Sequence, residues 1–205
     1  AQTPEIFEYD DDGNMTSDGR FSYTWDAENR LIAAETRADL APDVPRVRVE
    51  NSYDHQFRRI TKCVWTNSIV DKRTSFVYDD WNLIVEFCLS RDSVTNSFHV
   101  WGIDLSGTRM KAGGIGSHLL SSQFNCSYFS IYDGNGNIVA VVDNGLNVRT
   151  VSFASFGNTV EYLNVSTVPF GFSTKYTDIE TGSLYYGYRF FSLAIGRWFN
   201  RDYVD

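Results

Sequence analysis

Three histidines are the first residues to consider for acid–base or nucleophilic chemistry. His55, His99 and His118 are the only histidines in the sequence. An imidazole beside a serine and a carboxylate could activate a hydroxyl nucleophile, and the sequence alone leaves such an arrangement open. No Gly-x-Ser-x-Gly nucleophile elbow accompanies them. Surface or core roles are therefore the favoured interpretation, and no catalytic residue is predicted.

Two short motifs resemble ion- or phosphate-binding loops. Asp133, Asn135 and Asn137 alternate as at the start of an EF-hand loop, but Ile138 stands where that loop requires glycine. A hairpin turn explains the same residues better. The glycines of 113–116 lack a following Lys-Ser/Thr pair, which a phosphate-binding loop needs. The sequence predicts no metal and no cofactor.

The three cysteines have no metal-ligand spacing. Cys63, Cys88 and Cys126 contain no Cys-x-x-Cys pair. Cys63 and Cys88 each follow a Tyr-Asp pair by ten residues, which places them two strands apart, about 9.5 Å. Because a disulfide needs Cα atoms within about 7 Å, we expect three free thiols.

Composition and charge describe a soluble globular chain with an acidic surface. The 205 residues are 42% hydrophobic and 16% aromatic, with a net charge of −8. An acidic surface repels phosphate backbones, so nucleic-acid binding is not expected. The first residues lack the basic and apolar regions of a signal peptide, and no run approaches the roughly 18 apolar residues of a membrane helix.

The elements that must position any site are short strands joined by polar turns. Residues 20–25 alternate aromatic and small polar side chains with a period of two. Residues 134–137, Gly-Asn-Gly-Asn, are the clearest hairpin turn. Residues 32–40 are rich in Ala, Glu and Arg and could form a helix on propensity alone. Residues 30–36 are nevertheless predicted as a strand, because the repeat of hairpins along the chain requires one. Residues 110–118 are predicted as a flexible or bulged strand entry.

An aromatic residue recurs at intervals that each fit two strands and their turns. The intervals are 28, 25, 23, 31, 21 and 23 residues. The recurring residues are Trp25, Tyr53, Tyr78, Trp101, Tyr132, Phe153 and Tyr176. In several repeats an Asp follows and can accept hydrogen bonds from the turn backbone. We therefore predict an all-β fold of consecutive antiparallel hairpins, one repeat architecture over residues 1–205.

The most aromatic stretch lies near the end, in residues 172–202. It reads FSTKYTDIETGSLYYGYRFFSLAIGRWFNRD, with a turn at Thr181-Gly182 and a predicted strand over residues 184–191. A short turning segment and a second strand starting at Arg197 follow. This stretch resembles the core-associated signature of RHS/YD-repeat proteins: Tyr-x-Asp-x-Glu-Thr-Gly, then Tyr-Tyr-Gly-x-Arg, then Gly-Arg-Trp and Arg-Asp.

The resemblance extends to the repeats and implies structural roles for their motif residues. Matching positions are Tyr9, Asp10, Gly13, Asn14, Trp25, Asp26, Asn29, Arg30, Leu31, Tyr53, Asp54, Tyr78, Asp79, Tyr132, Asp133, Gly134, Asn137, Gly157, Tyr176, Asp178, Gly182, Tyr185, Tyr186, Gly187, Arg189, Gly196, Arg197 and Trp198. RHS/YD-repeat proteins include bacterial polymorphic toxins, subunits of insecticidal toxin complexes and teneurins. The family implies a curved sheet that spirals into a hollow shell.

The family also implies partners, a location and, in many members, self-cleavage. The expected partners are further repeats and a C-terminal toxin or other cargo, within a larger secreted or cell-surface bacterial protein. Asp202 falls at the first aspartate of the family's aspartyl autoprotease segment, but Tyr203 replaces the proline and the second aspartate is missing. We therefore expect no self-cleavage and no enzymatic activity.

Three functions remain open from the sequence. The favoured one is an enclosing shell segment, whose open sheet edges should promote association with further repeats, cargo or another copy. The first alternative is a carbohydrate- or receptor-binding module that uses exposed Trp25, Trp81 and Trp101. The second is a remnant of an autoprotease.

Overall fold

A large antiparallel sheet contains most of the chain. The computed structural model describes residues 5–162 and 168–202, and in it fourteen strands lie side by side in chain order, each antiparallel to the next. They are β1 (Glu8–Tyr9), β2 (Met15–Ser17), β3 (Phe21–Trp25), β4 (Leu31–Thr36), β5 (Val47–Tyr53), β6 (Arg59–Thr66), β7 (Ile69–Asp79), β8 (Asn82–Ser90), β9 (Val94–Trp101), β10 (His118–Gln123), β11 (Cys126–Tyr132), β12 (Ile138–Asp143), β13 (Val148–Phe153) and β14 (Thr159–Tyr162). The all-β prediction of consecutive hairpins is confirmed.

The last four strands form a separate small sheet. A 3-10 turn over Phe172–Thr174 leads into β15 (Tyr176–Asp178), β16 (Ser183–Tyr185), β17 (Phe190–Ser192) and β18 (Arg197–Trp198), again all antiparallel. Tyr176, the last of the recurring aromatics, therefore starts this sheet instead of ending a strand of the large one. The repeat interval alone did not reveal this change of sheet.

The pattern of burial explains why these segments are strands. In β3, Phe21 and Tyr23 are buried and Ser22 and Thr24 are exposed. Residues 31–36 form a strand as predicted, although their alanines favour a helix. This strand, β4, lies between β3 and β5 and buries much of its apolar surface. Tertiary packing here overrides the helix propensity of its alanines.

Two local predictions were wrong for reasons of backbone conformation. The single strand predicted over residues 184–191 is two strands, because Gly187 has a φ of +92° and the Tyr186 amide bonds the Arg189 carbonyl in a tight turn. Residues 110–117 form an irregular loop and not a strand entry. In that loop Gly113, Gly114 and Gly116 all have positive φ.

The meander places every connection from an odd to the next even strand at one end of the large sheet. These connections include each turn that follows Trp25, Tyr53, Tyr78 and Tyr132. We call this end the turn end. The first six recurring aromatics lie at or next to the last residue of an odd strand. The repeat period therefore corresponds to one aromatic and one turn for each pair of strands.

The small sheet packs against one face of the large sheet, and the hydrophobic core lies between them. The core residues from the large sheet include Met15, Phe21, Tyr23, Leu31, Phe76, Leu83, Ile138 and Val141, and those from the C-terminal part include Phe170, Tyr176, Tyr185, Phe190 and Phe199. Backbone hydrogen bonds also join the two parts: the Met15 amide donates to the Phe199 carbonyl, and the Ile138 amide donates to the Gly171 carbonyl.

Candidate functional site

The aspartates of the Tyr-Asp motif organise the turns of the turn end. Asp54 Oδ1 accepts from the backbone amides of Gln56 and Arg58 at 2.9 and 3.0 Å. Burial alone would raise the pKa of this carboxyl, but the hydrogen bonds and the Arg58 guanidinium hold its pKa below the ordinary value. Asp26 makes the equivalent bonds to Glu28 and Arg30.

The arginines after these turns connect one repeat to the next. Arg30 Nε pairs with Asp26 at 2.7 Å, and its guanidinium also donates to the Asp54 carbonyl of the following turn. Arg58 likewise pairs with Asp54 and donates to the Asp80 carbonyl at 2.8 Å. These two Asp–Arg pairs, which we call the Asp–Arg ladder, therefore connect three successive turns of the turn end.

Asparagine takes the place of arginine where the small sheet approaches the turns. Asn14 and Asn137 bond the side chains of Asp10 and Asp133 within their own turns. Asn137 Oδ1 also accepts from the Ser173 amide at 2.7 Å. Asp133, Asn135 and Asn137 thus form a hydrogen-bonded hairpin turn, as predicted. The described residues include no cluster of potential ligands suited to a metal ion.

A buried charged cluster joins the two sheets. Asp178, from the C-terminal signature, accepts from Arg59 at 2.5 Å and from Lys62 at 2.8 Å, and Lys62 also pairs with Glu180 at 2.9 Å. Arg59, Lys62 and Asp178 are each at most 2% exposed. Burial would raise the pKa of Asp178, but the two cations lower it to about 2.

Aromatic rings enclose the Arg59 guanidinium. The rings of Phe76, Tyr176, Tyr185 and Phe190 lie 4.6–5.8 Å from it. The Arg59 amide also donates to the Tyr185 hydroxyl at 2.9 Å. Sequence reasoning missed Arg59 and Lys62, because nothing in the local pattern marks these cations as buried; their partner lies more than 110 residues away.

A second buried network contains two of the three histidines. Glu86 lies 3.0 Å from His99 Nε2, and His99 Nδ1 lies 2.7 Å from Ser121 Oγ. His118 Nε2 approaches the same serine at 3.0 Å. Glu86 also accepts from the Tyr176 hydroxyl at 3.0 Å, which ties the network to the small sheet.

The order Glu–His–Ser is that of a hydrolase triad, but its position is that of a core network. Ser121 and His99 are 1% and 4% exposed, and the Phe170 ring lies 5.0 Å from the ring of His99. A nucleophile needs access to substrate, which this packing denies to Ser121. His55, the remaining histidine, is exposed in the turn after β5.

The other predicted positions divide between surface and core. Asp202 lies on the surface, 3.2 Å from Arg189, and Tyr203 lies outside the described residues. The exposed tryptophans expected of a sugar-binding face were a wrong prediction: Trp25, Trp81 and Trp101 are half-buried, and the indoles of Trp25 and Trp101 donate to the backbone of Met15 and Leu83.

The three cysteines lie on different strands of the large sheet. Cys63, Cys88 and Cys126 are unbonded to one another, with Cys63 on β6 and Cys88 on β8, two strands apart as expected. Across residues 5–162 and 168–202, no helix has the length and apolar character required to cross a bilayer.

Comparisons with curated proteins find similarity to bacterial nucleases. The chain is 29% identical over 155 residues to the tRNA nuclease WapA of Bacillus subtilis, and 28% identical over 155 residues to the tRNA3(Ser)-specific nuclease WapA of Bacillus spizizenii. Each alignment covers 75% of this chain but 6% of the relative. The chain therefore spans a small part of the length of these proteins.

Comparisons with solved structures find the same fold. The crystal structure of TcdB2-TccC3 matches with a TM-score of 0.68 and 16% identity, over 94% of this chain and 10% of that one. A Tc holotoxin pore of Photorhabdus luminescens that carries a mutated TccC3 matches with a TM-score of 0.71 and 16% identity, over 94% and 9%.

The family assignment follows from these matches. The family model described as Teneurin YD-shell matches residues 2–205. The resemblance to RHS/YD-repeat proteins, noted from the sequence, is thereby confirmed. Because the match covers nearly the whole chain, this protein belongs to the teneurin YD-shell family.

Proposed function

We propose that this chain is a non-enzymatic segment of a protein shell, and that it acts by enclosing a toxin or other cargo. The observation that carries the proposal is the buried cluster of Asp178, Arg59 and Lys62, which fixes the small sheet onto one face of the large sheet. In this proposal the large sheet, with one face covered by the small sheet, forms part of the wall of the shell. The hairpins of the large sheet lie side by side, and the Asp–Arg ladder connects three of their turns.

The placement of the two candidate catalytic residues, Ser121 and Asp202, favours enclosure over catalysis. Ser121 is 1% exposed, and Asp202 is a surface residue paired with Arg189. The nuclease names of the WapA relatives belong to proteins of which this chain covers 6%. We therefore assign the nuclease function of such relatives to a part other than the segment that matches this chain.

The expected partners are further repeats and cargo within a larger secreted bacterial protein. Among the described residues, the fourteen-stranded sheet ends at β1 and at β14, and no further strand pairs with either edge. Unpaired edge strands recruit other strands. An isolated preparation of the chain should accordingly associate through these edges, which sedimentation velocity would detect as species larger than 23.4 kDa.

Protease protection of the full gene product tests the proposal. If the chain is part of an enclosing shell, a cargo segment of that product should resist a protease that digests the same segment expressed alone. Asp178→Asn should expose the cargo by loosening the small sheet, whereas Asp39→Asn, which alters an exposed pair with Arg37, should not. Cargo digested equally fast in the intact product would contradict enclosure.

A further inference from the structure

A pocket of about 260 Å³ opens between the turn end and the small sheet. Its walls are largely aromatic and include Trp81, Trp101, Tyr186 and Tyr188. We call it the Trp81 pocket. Its volume is just below the roughly 300–1,000 Å³ of pockets for drug-sized ligands, so it fits a ligand the size of one amino-acid derivative.

The aromatic wall is fixed in place by close packing. The rings of Trp81 and Tyr188 lie 4.8 Å apart. Trp81 also packs on Gly187 so closely that a Cβ at that position would lie 2.8 Å from the indole. Tyr186 is held by the ring of Trp198 at 4.8 Å. A preorganised wall of this kind favours a flat ring that stacks between aromatic faces.

Two donors that line the pocket are incompletely paired: the Asn82 amide lacks an acceptor, and the Lys175 ammonium lacks a carboxylate partner among the described residues. Asn82 is 2% exposed, yet its Nδ2 atom has no hydrogen-bond partner among the described residues. In the other repeats the asparagines Asn14 and Asn137 bond the motif aspartate, but Asp79 is instead engaged by Arg109.

Lys175 is the second donor. Its ammonium donates to the Gly113 carbonyl and lies 5.2 Å from the Tyr186 ring, but no carboxylate within the described parts of the chain forms an ion pair with it. Burial lowers the pKa of Lys175 to about 8, with only partial compensation from Asp104. Lys62, in contrast, is paired with two carboxylates.

The two donors lie beside consecutive residues of the same glycine-rich loop. A Cβ on Gly113 would lie 3.5 Å from Lys175 Nζ, and a Cβ on Gly114 would lie 3.4 Å from Asn82 Oδ1. No carboxylate is present among the residues that line the pocket. A ligand with its own anionic or carbonyl acceptors is therefore favoured, because it provides what Asn82 Nδ2 and the Lys175 ammonium lack.

We propose that the Trp81 pocket binds an N-acylated aromatic amino acid, either free or as the C-terminal residue of a peptide. Its ring stacks on Trp81 and Tyr186, its carboxylate pairs with Lys175, and its acyl carbonyl accepts from Asn82. The ligand would thus give the Asn82 amide a hydrogen-bond acceptor and the Lys175 ammonium a carboxylate partner. The proposal is independent of whether the chain forms a shell.

The test is titration of the purified chain with N-acetyl-L-phenylalanine and with its neutral amide, followed by NMR of the tryptophan indole N–H signals. The signals of Trp81 and Trp101 should shift, and the acid should bind about tenfold more tightly than the amide. Trp81→Phe assigns the signal. Absence of a shift at millimolar ligand, or equal affinity for acid and amide, would overturn the proposal.

Variants separate the contacts from general effects of charge. Lys175→Met should weaken binding of the acid about tenfold and leave the amide unchanged, whereas Lys111→Met, an exposed lysine of the same loop, should change neither. Asn82→Leu should weaken both ligands. Equal effects of the two lysine variants would refute the assignment. A peptide of four alanines and a terminal phenylalanine distinguishes the sources: binding indicates a peptide terminus, and exclusion indicates the free compound.

Discussion

Lys62 donates to Asp178 across 2.8 Å between the two sheets, and both side chains are almost completely excluded from solvent. Two charges buried in this way are tolerated because Arg59 and Glu180 complete the hydrogen bonding around them. This pair is the clearest physical link between the C-terminal signature and the repeats.

Removing the anion should strongly destabilise the protein. Asp178→Asn leaves Arg59 and Lys62 buried with reduced compensation, and breaking such a pair costs about 3–5 kcal/mol. Urea denaturation followed by tryptophan fluorescence measures the loss. Asp39→Asn, at an exposed pair, is the control and should leave the midpoint unchanged. An equal midpoint for D178N and the wild type would contradict the assigned role of the cluster.

The Tyr-Asp turns should contribute to stability through the side chain of the aspartate. Asp54→Ala removes two bonds to backbone amides and the ion pair with Arg58, so we expect a loss of about 2 kcal/mol. Gln56→Ala in the same turn should change the free energy of unfolding by less than about 0.5 kcal/mol. Thermal unfolding by circular dichroism compares the two. Similar melting temperatures for both variants would show that the turn does not need its aspartate.

As the pH falls, the free energy of unfolding should decrease first because of His118 and only at lower pH because of Asp178. Burial and the neighbouring His99 lower the pKa of His118 to about 3, from an ordinary value of 6.5. The unfolded chain therefore takes up this proton first, and stability falls as the pH drops from about 6.5 towards 3. One proton corresponds to about 1.4 kcal/mol for each pH unit.

The measurement is urea denaturation at pH 6 and at pH 4. His118→Gln should remove the contribution of this proton to the pH dependence, whereas His55→Gln, at an exposed site, should retain it. The lowered pKa of Asp178 adds a separate loss that begins only below about pH 4. An unchanged pH dependence in H118Q would rule out His118 as its source.

Two glycines distinguish backbone strain from close packing. Gly182 and Gly187 both have positive φ, but a Cβ on Gly182 meets nothing within 4 Å, whereas one on Gly187 meets the Trp81 ring. Gly182→Ala should cost about 1 kcal/mol for conformation alone. Gly187→Ala should cost a further 1–3 kcal/mol for overpacking. Differential scanning calorimetry compares them, and equal melting temperatures would mean that Trp81 does not pack as described.

The repeat architecture was accessible from the sequence because its causes are local. Trp25 and Tyr53 end strands and Asp26 and Asp54 begin turns, so each motif contains both the residue that packs and the residue that bonds the turn. The period then fixes the order of strands. Alternation of buried and exposed side chains supplied the strand assignments.

The candidate site was not accessible because its contacts are distant in sequence. Arg59 and Lys62 contact Asp178 only because the small sheet packs on the large sheet. The same packing brings Asn82 and Lys175 into one pocket. The sequence around Tyr176 does not reveal that the chain changes sheet there. The aromatic residues and polar turn of this segment resemble those of the repeats before it. Long-range pairing of this kind is set by the packing of the whole core.

Electron cryomicroscopy of the full gene product tests the central claim most directly. We predict further strands hydrogen-bonded to the edge at β1 or β14, a closed cavity, and density for cargo inside it. We also expect the small sheet to pack on the large sheet through Asp178. A map in which residues 5–202 stand alone, with both edges exposed and no enclosed volume, would contradict it.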